Sequence, residues 1–133
     1  IAKKKSKKNE FQEDKDINLS KLDYNTVDEK LLQQAVKIIE DNLSDTYFNV
    51  NTFAGALHMS KSSLYRKIKT ITGLSPVEFI RNIRLKEASK RLKDRSASIS
   101  EVAYSVGFSD PKYFATCFKN EFHISPSEFQ KKT

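Results

Sequence analysis

Residues 75–94 read SPVEFIRNIRLKEASKRLKD, and the helix written there organises the rest of the chain. Ser75 is placed to cap it. Pro76 suits the first helical position, where its missing N–H would be an orphan anyway, and Glu78 stands at the capping-box spacing from Ser75. At about 100° per residue the apolar side chains form two groups rather than one stripe. Val77, Leu85, Ala88 and Leu92 share one face, while Phe79, Ile80 and Ile83 lie on roughly the other. A helix apolar on two sides is covered on two sides, so a small helical lobe is expected before it and another after it.

Composition agrees with an all-α chain. The 133 residues include only three Gly and three Pro, with 38% apolar and 31% charged residues, which suits one domain or two very small ones sharing a core. No apolar run approaches the roughly 18 residues of a membrane span, and no signal-peptide pattern is present. Position 1 is Ile, not Met, which points to a piece cut from a longer protein. The single Cys117 leaves no internal disulfide and no CxxC site; its spacing with Phe114 and Phe118 makes it a core residue, compatible with a reducing compartment. The net charge of +7 is concentrated. Residues 59–94 hold ten basic and three acidic residues, whereas residues 1–30 and 95–133 each carry an excess of only one positive charge. Such a surface points toward a polyanion, although a solvated lysine-rich face is the plainer reading of charge alone.

Residues 1–28 have linker composition: the basic run Lys3–Lys8 gives way to the acidic Glu13, Asp14 and Asp16, with few apolar residues between. Asp28 looks like an N-cap, with Val27 and Leu32 placed for a hydrophobic staple, and Leu31, Leu32, Ala35, Ile38, Ile39 and Leu43 form the buried side of a helix over 29–43. Asn49 can cap a short helix carrying Val50, Phe53, Ala54 and Leu57, softened by Gly55. After a turn at His58-Met59, Ser60 caps the next helix. There Leu64, Ile68 and Ile71 point inward, and Gly73 ends it in the left-handed C-cap position. Two short helices joined by a tight turn make a helix-turn-helix candidate.

The chain repeats this unit. Residues 68–79, IKTITGLSPVEF, match residues 118–129, FKNEFHISPSEF, at an offset of 50. Upstream, Val50, Ala54, Leu57 and Ser60 match Ile99, Ala103, Val106 and Ser109 at an offset of 49. In the second copy Ile99, Val102, Ala103 and Val106 bury one short helix and Gly107 closes it. Asp110 caps the next, with Pro111 at its first position and Phe114, Cys117 and Phe118 facing inward. The expected architecture is two helix-turn-helix subdomains, 29–74 and 95–133, joined by the long helix over 75–94, with about seven helices in all.

The pattern Phe53-Ala54…Met59-Ser60-Lys61-Ser62-Ser63-Leu64-Tyr65-Arg66-Lys67, followed by Ser75-Pro76…Phe79-Ile80-Arg81…Arg84-Leu85…Ala88…Leu92, resembles the DNA-binding domain of the AraC/XylS family. So does Ile99-Ser100-Glu101-Val102-Ala103…Val106-Gly107-Phe108-Ser109-Asp110…Tyr113-Phe114…Phe118-Lys119…Ser125-Pro126…Phe129. The variant closest to Leu64-Tyr65-Arg66-Lys67 and Asp110-Pro111-Lys112-Tyr113-Phe114 resembles the C-terminal output domain of bacterial hybrid sensor kinase/response regulators. That resemblance implies a linker from an upstream receiver domain over residues 1–28, a cytoplasmic transcription regulator, dimerisation through upstream domains and RNA polymerase as a possible partner. Double-stranded DNA is the partner implied for this segment, with no membrane contact and no cofactor.

Helical spacing alone selects the DNA-facing residues. With Leu64, Ile68 and Ile71 inward, Ser62, Tyr65, Arg66 and Lys69 lie on the opposite face at i, i+3, i+4, i+7, a width that enters a major groove. Arg66 is the best base reader because its planar fork matches guanine O6 and N7, worth ~1–3 kcal/mol of discrimination. Tyr65 can pack on a thymine methyl or a sugar. Lys61, Lys67 and Lys69 suit phosphates. Arg81, Arg84, Lys86, Lys90 and Arg91 either do the same or snorkel along the surface, with an internal ion pair as a further option for Arg84.

The equivalent second face is Lys112, Ala115, Thr116 and Lys119. It is poorer, since the family often has Arg where this chain has Thr116. Lys112 and Lys119 can contact phosphates, Ala115 or Thr116 can meet a thymine methyl, and Tyr113 either walls the unit or touches a phosphate. The first unit is therefore expected to supply most sequence-specific contacts, the second positioning and shape-dependent readout. Two units on one helix are expected in adjacent major grooves, about one turn (~34 Å, ~10 bp) apart.

Other readings find less to stand on. His58 and His123 occupy turn positions where the family usually has Gly; they are expected at φ > 0 and, with no third ligand in the pattern, not at a metal. No paired carboxylates, activated nucleophile or phosphate-binding glycine loop appears, so an enzyme is not expected. A helical module docking an acidic protein through its basic face is the competing class, against which the duplicated spacing argues.

Overall fold

The computed structural model describes residues 26–133. The expectations for the charged linker over 1–28, with its basic run Lys3–Lys8, fall almost wholly outside the described residues. Among the described residues there are seven α-helices and no strand. They are α1 Thr26–Asp41, α2 Val50–Ala56, α3 Lys61–Thr72, α4 Pro76–Arg91, α5 Ile99–Ser105, α6 Pro111–Phe122 and α7 Pro126–Lys132.

The helix boundaries follow local chemistry. The side chains of Asn49, Ser60, Ser98, Asp110 and Ser125 each accept a backbone N–H of the first turn that follows them, satisfying donors with no partner inside the helix. At α4 the capping box forms as its spacing requires: Ser75 N–H donates to the Glu78 carboxylate at 2.8 Å and Glu78 N–H to Ser75 Oγ at 3.2 Å. The Ser75 backbone bond holds the Glu78 carboxyl below the usual carboxylate range. A second capping box, Ser98 with Glu101, opens α5. Helix α4 stops at Arg91 rather than running to Asp94, because the Asp94 carboxylate accepts from both the N–H and the hydroxyl of Ser96 and starts a turn.

Two compact units emerge. The first comprises the described residues up to Asp41 together with Asn49–Ile83. Its buried side chains are Leu32, Ala35 and Ile39 from α1, Phe53 and Ala54 from α2, Leu64 and Ile68 from α3, and Leu74, Phe79, Ile80 and Ile83. The rings of Phe53 and Phe79 stack at 6.4 Å. Ile71 is only half-buried, and Thr72 takes the interior position instead. Its hydroxyl donates to the Ile68 carbonyl at 2.7 Å and accepts from Leu74 N–H at 3.0 Å, which is how a polar side chain is buried without a desolvation penalty.

The second unit comprises Asn42–Phe48 and Arg84–Thr133. Its core gathers Leu43, Leu85, Ala88, Leu92, Val102, Ala103, Val106, Phe108, Phe114, Cys117 and Phe118, with Phe122 and Phe129 packed against it. Leu43 therefore lies beyond the end of α1 and in this core, not on the buried side of the first helix. Cys117 is a core residue as its spacing implies.

Three further expectations fail at helix starts. Helix α1 begins at Thr26, so Asp28 is inside it rather than capping it, and Val27 is 71% exposed and staples nothing. Val77 is exposed too. It shares a face with Leu85, Ala88 and Leu92, but those serve the second unit's core. Val77 lies in the first unit, whose core side of α4 is set by Phe79, Ile80 and Ile83.

Among the described residues four are left-handed: His58, Gly73, Gly107 and His123. They are two pairs related by the repeat, each pair one Gly and one His. The positions are not equally tolerant. A β-carbon on Gly107, at φ 98°, would stand 2.4 Å from the Leu43 carbonyl oxygen and 2.7 Å from Arg84 Nε. Gly107→Ala is expected to destabilise the protein by about 2 kcal/mol in urea denaturation. His58→Gly, where a β-carbon is already accommodated, should change it by less than about 1 kcal/mol.

Candidate nucleic-acid interface

In the first unit α2, the turn containing left-handed His58, and α3 form the helix-turn-helix. Leu64 and Ile68 are fully buried at i and i+4, and this fixes the rotation of α3 about its axis. Ser62, Tyr65, Arg66 and Lys69 are all exposed on the opposite side, Tyr65 with half its surface open to solvent. Ser62 Oγ lies 3.4 Å from the N-cap hydroxyl of Ser60. Arg66 Nη2 donates to Ser63 Oγ at 3.4 Å, a long bond that leaves the fork available. Lys61 is exposed at the start of the helix.

Lys67 stands apart from that face. Its ammonium pairs with Asp28 of α1 at 3.0 Å. Spacing alone had grouped it with Lys61 and Lys69 as a phosphate contact, and the pairing is a non-local fact no local pattern announces. Ser63, Met59 and Thr70, which line a surface groove beside Lys67, were likewise not singled out, although the helical spacing of Ser63 and Thr70 with Lys67 was legible.

In the second unit Phe114 and Phe118 are fully buried and leave Lys112, Thr116 and Lys119 exposed on α6. Ala115 is only half-exposed. Thr116 Oγ1 donates back to the Lys112 carbonyl at 3.2 Å, so its hydroxyl proton is spent on the helix and its methyl and the oxygen's acceptor side are left for a ligand. The Tyr113 ring rests 6.1 Å from that of Phe108, half-exposed, so it does wall the unit while keeping an open edge. This face has two ammonium groups and no guanidinium.

Two of the cations on α4 are held internally. Arg84 Nη2 donates to the Asp45 carbonyl at 3.0 Å, its Nε is buried, and burial pushes its pKa down against the opposing pull of the Asp45 charge. Arg91 Nε pairs with Glu87 at 3.1 Å and its Nη1 donates to the Ser105 carbonyl at 3.1 Å. Lys86 is half-buried, and burial first, then repulsion by Lys90, lowers its pKa. Lys90 is the exposed member of the group and Arg81 is half-buried.

Among the described residues no three His, Cys, Asp or Glu side chains are grouped as metal ligands, and no helix is long and apolar enough to cross a membrane.

Two helix-turn-helix units, each with its second helix turned outward and a polar, cationic face on it, define a tandem helix-turn-helix domain. Residues 53–132 match the family described as a helix-turn-helix domain. Over 125 residues the chain is 41% identical to a histidine kinase, P4, of Formosa agariphila, covering 94% of this chain and 9% of that protein. The fold is similar to that of a transcriptional regulator from Chromobacterium violaceum of the AraC-type DNA-binding class, with TM-score 0.73, 27% identity and coverage of 81% of this chain and 96% of that one. It is also similar to the DNA-binding domain of AdpA, a global transcriptional factor solved with a target DNA, with TM-score 0.70, 26% identity and coverage of 76% and 90%. The chain belongs to the AraC/XylS family of helix-turn-helix DNA-binding transcription regulators.

The internal bonds of Arg84 separate stability from binding. Arg84→Met is expected to cost about 1–2 kcal/mol of stability in urea denaturation while leaving the salt dependence of duplex binding unchanged. A flatter salt slope with full stability would instead make Arg84 a phosphate contact.

Proposed function

We infer that this chain is the output domain of a hybrid two-component regulator and binds double-stranded DNA sequence-specifically, with both helix-turn-helix units addressing adjacent major grooves. The observation that carries the DNA-reading part is the face of α3: Leu64 and Ile68 buried on one side turn Ser62, Tyr65, Arg66 and Lys69 outward together. Arg66 reads guanine bidentately, Tyr65 packs on a thymine methyl or sugar, and Lys61 contacts phosphate. In the second unit Lys112 and Lys119 contact phosphates, Thr116 and Ala115 offer small apolar groups to a thymine methyl, and Tyr113 lies at the phosphate edge. The readout there is weaker and depends more on duplex shape.

The two-component assignment is supported by the similarity to the Formosa agariphila histidine kinase, of which this chain would correspond to a small part. On this reading residues 1–28 are the linker from an upstream domain, 29–74 and 95–133 the two subdomains and 75–94 the helix between them. Dimerisation would be supplied upstream, RNA polymerase would be met at the promoter, and the protein would work in the cytoplasm where its DNA is.

Arg66→Ala tests the base-reading role on a panel of duplexes that vary one base pair at a time. The preference at one guanine position is expected to fall by ~1–3 kcal/mol, with other positions unaffected. An equal loss of affinity on every duplex would make Arg66 a phosphate contact only.

A further inference from the structure

A groove of about 450 Å³ follows the side of α3, lined by Met59, Ser63, Arg66, Lys67 and Thr70. Ser63, Lys67 and Thr70 succeed one another by four and three residues, the spacing of one helix side, and Met59 closes the groove from the turn before the helix. That side flanks the face formed by Ser62, Tyr65 and Lys69, with Arg66 at the border between the two. The groove is lined by two hydroxyl residues, Ser63 and Thr70, and two cationic ones: Arg66 Nη2 is 3.4 Å from Ser63 Oγ, and the next residue is Lys67. A helix lying in a major groove has bases before it and phosphates along its flanks, so this is the composition expected of a flank.

One carboxylate already engages it. Asp28 Oδ1 on α1 lies 3.0 Å from Lys67 Nζ, and the two side chains differ in exposure, 17% for Asp28 and 48% for Lys67. The Asp28 side chain is largely covered while the Lys67 side chain keeps an open side. A lysine ammonium has three donors on a compact charge and can meet a second anion from that open side. The carboxylate nevertheless cancels much of the charge that a phosphate would feel.

We propose that this flank seats one DNA backbone phosphate, with Ser63 and Lys67 as positioning residues, and that Asp28 sets the strength of the contact by competing for the Lys67 ammonium. The inference rests on the DNA-binding reading above and adds to it a residue on α1 that tunes affinity without touching DNA. Removing the Asp28 charge frees a full positive charge for the phosphate and adds to counterion release.

The test is duplex binding by the whole chain across a range of salt, on a preferred and an unrelated sequence, with thermal melting of each variant. Asp28→Asn is expected to tighten binding to both duplexes about two- to fivefold and to steepen the slope of log affinity against log salt, by up to about 0.9. Lys67→Met should weaken both equally and flatten the slope, and in that background Asp28→Asn should change nothing. Ser63→Ala, which disturbs no ion pair, should weaken both duplexes equally and keeps the test alive should Asp28→Asn unsettle α1. Unchanged affinity and slope in folded Asp28→Asn would overturn the proposal, as would a gain that persists without Lys67. A wild-type chain that binds no duplex at any salt would instead remove the DNA reading itself. Sequence-preferring binding that ignores Asp28, Ser63 and Lys67 would remove only this inference.

Discussion

The structure depends on the burial of two different sides of one sixteen-residue helix. Phe79, Ile80 and Ile83 of α4 belong to the first unit's core, and Leu85 and Ala88, with Leu92 just past its end, to the second's. At about 25 cal/mol per Å² of apolar surface removed from water, each fully buried Phe, Ile or Leu contributes roughly 1.5–3 kcal/mol, far more than any cap or surface ion pair in the molecule. A 16-residue helix is marginal in water by itself, so α4 owes its existence to these contacts. The capping box at Ser75 and Glu78 then decides where it begins, and the Asp94 turn where it ends.

The same logic explains why two copies of one motif have drifted apart in chemistry. In both, a buried pair four residues apart, Leu64 and Ile68 or Phe114 and Phe118, fixes which side of the second helix faces outward. What stands on that side is then unconstrained by packing. The first unit carries a guanidinium, a phenol and an ammonium there. The second carries two ammonium groups, a half-covered Ala115 and a threonine whose hydroxyl is turned back on its own helix. A bidentate fork discriminates one base pair from another, whereas an ammonium over a phosphate adds affinity to every sequence. The asymmetry between reading and positioning is therefore written in side chains, not in fold.

Much of this was legible before any coordinates. Asn49, Ser60, Asp110 and the Ser75–Glu78 pair cap as their spacing says, the left-handed turns expected at His58, Gly73 and His123 are there, and the outward face of α3 follows from its apolar period. Most of the failures are settled by residues distant in sequence. Leu43 reads as the end of the first helix, inside the first subdomain, yet it joins the unit formed mainly by residues after 84. Val77 has the right helical angle and nothing there to bury it. Lys67 is drawn to Asp28 thirty-nine positions earlier, and Arg84 to the Asp45 carbonyl at the same separation. Thr72 is polar by type and interior by place, because two local hydrogen bonds satisfy its hydroxyl. Local patterns fix helices and caps; long-range pairing decides which charges remain for a ligand.

The most direct measurement is selection of duplexes from a random library by this chain at near-physiological salt. The account predicts one strongly enriched short motif containing a guanine, accompanied about one helical turn (~10 bp) away by a weaker, shape-like preference. Two equally strong motifs would contradict the asymmetry between the units, and no enriched motif at all would contradict sequence reading by this domain.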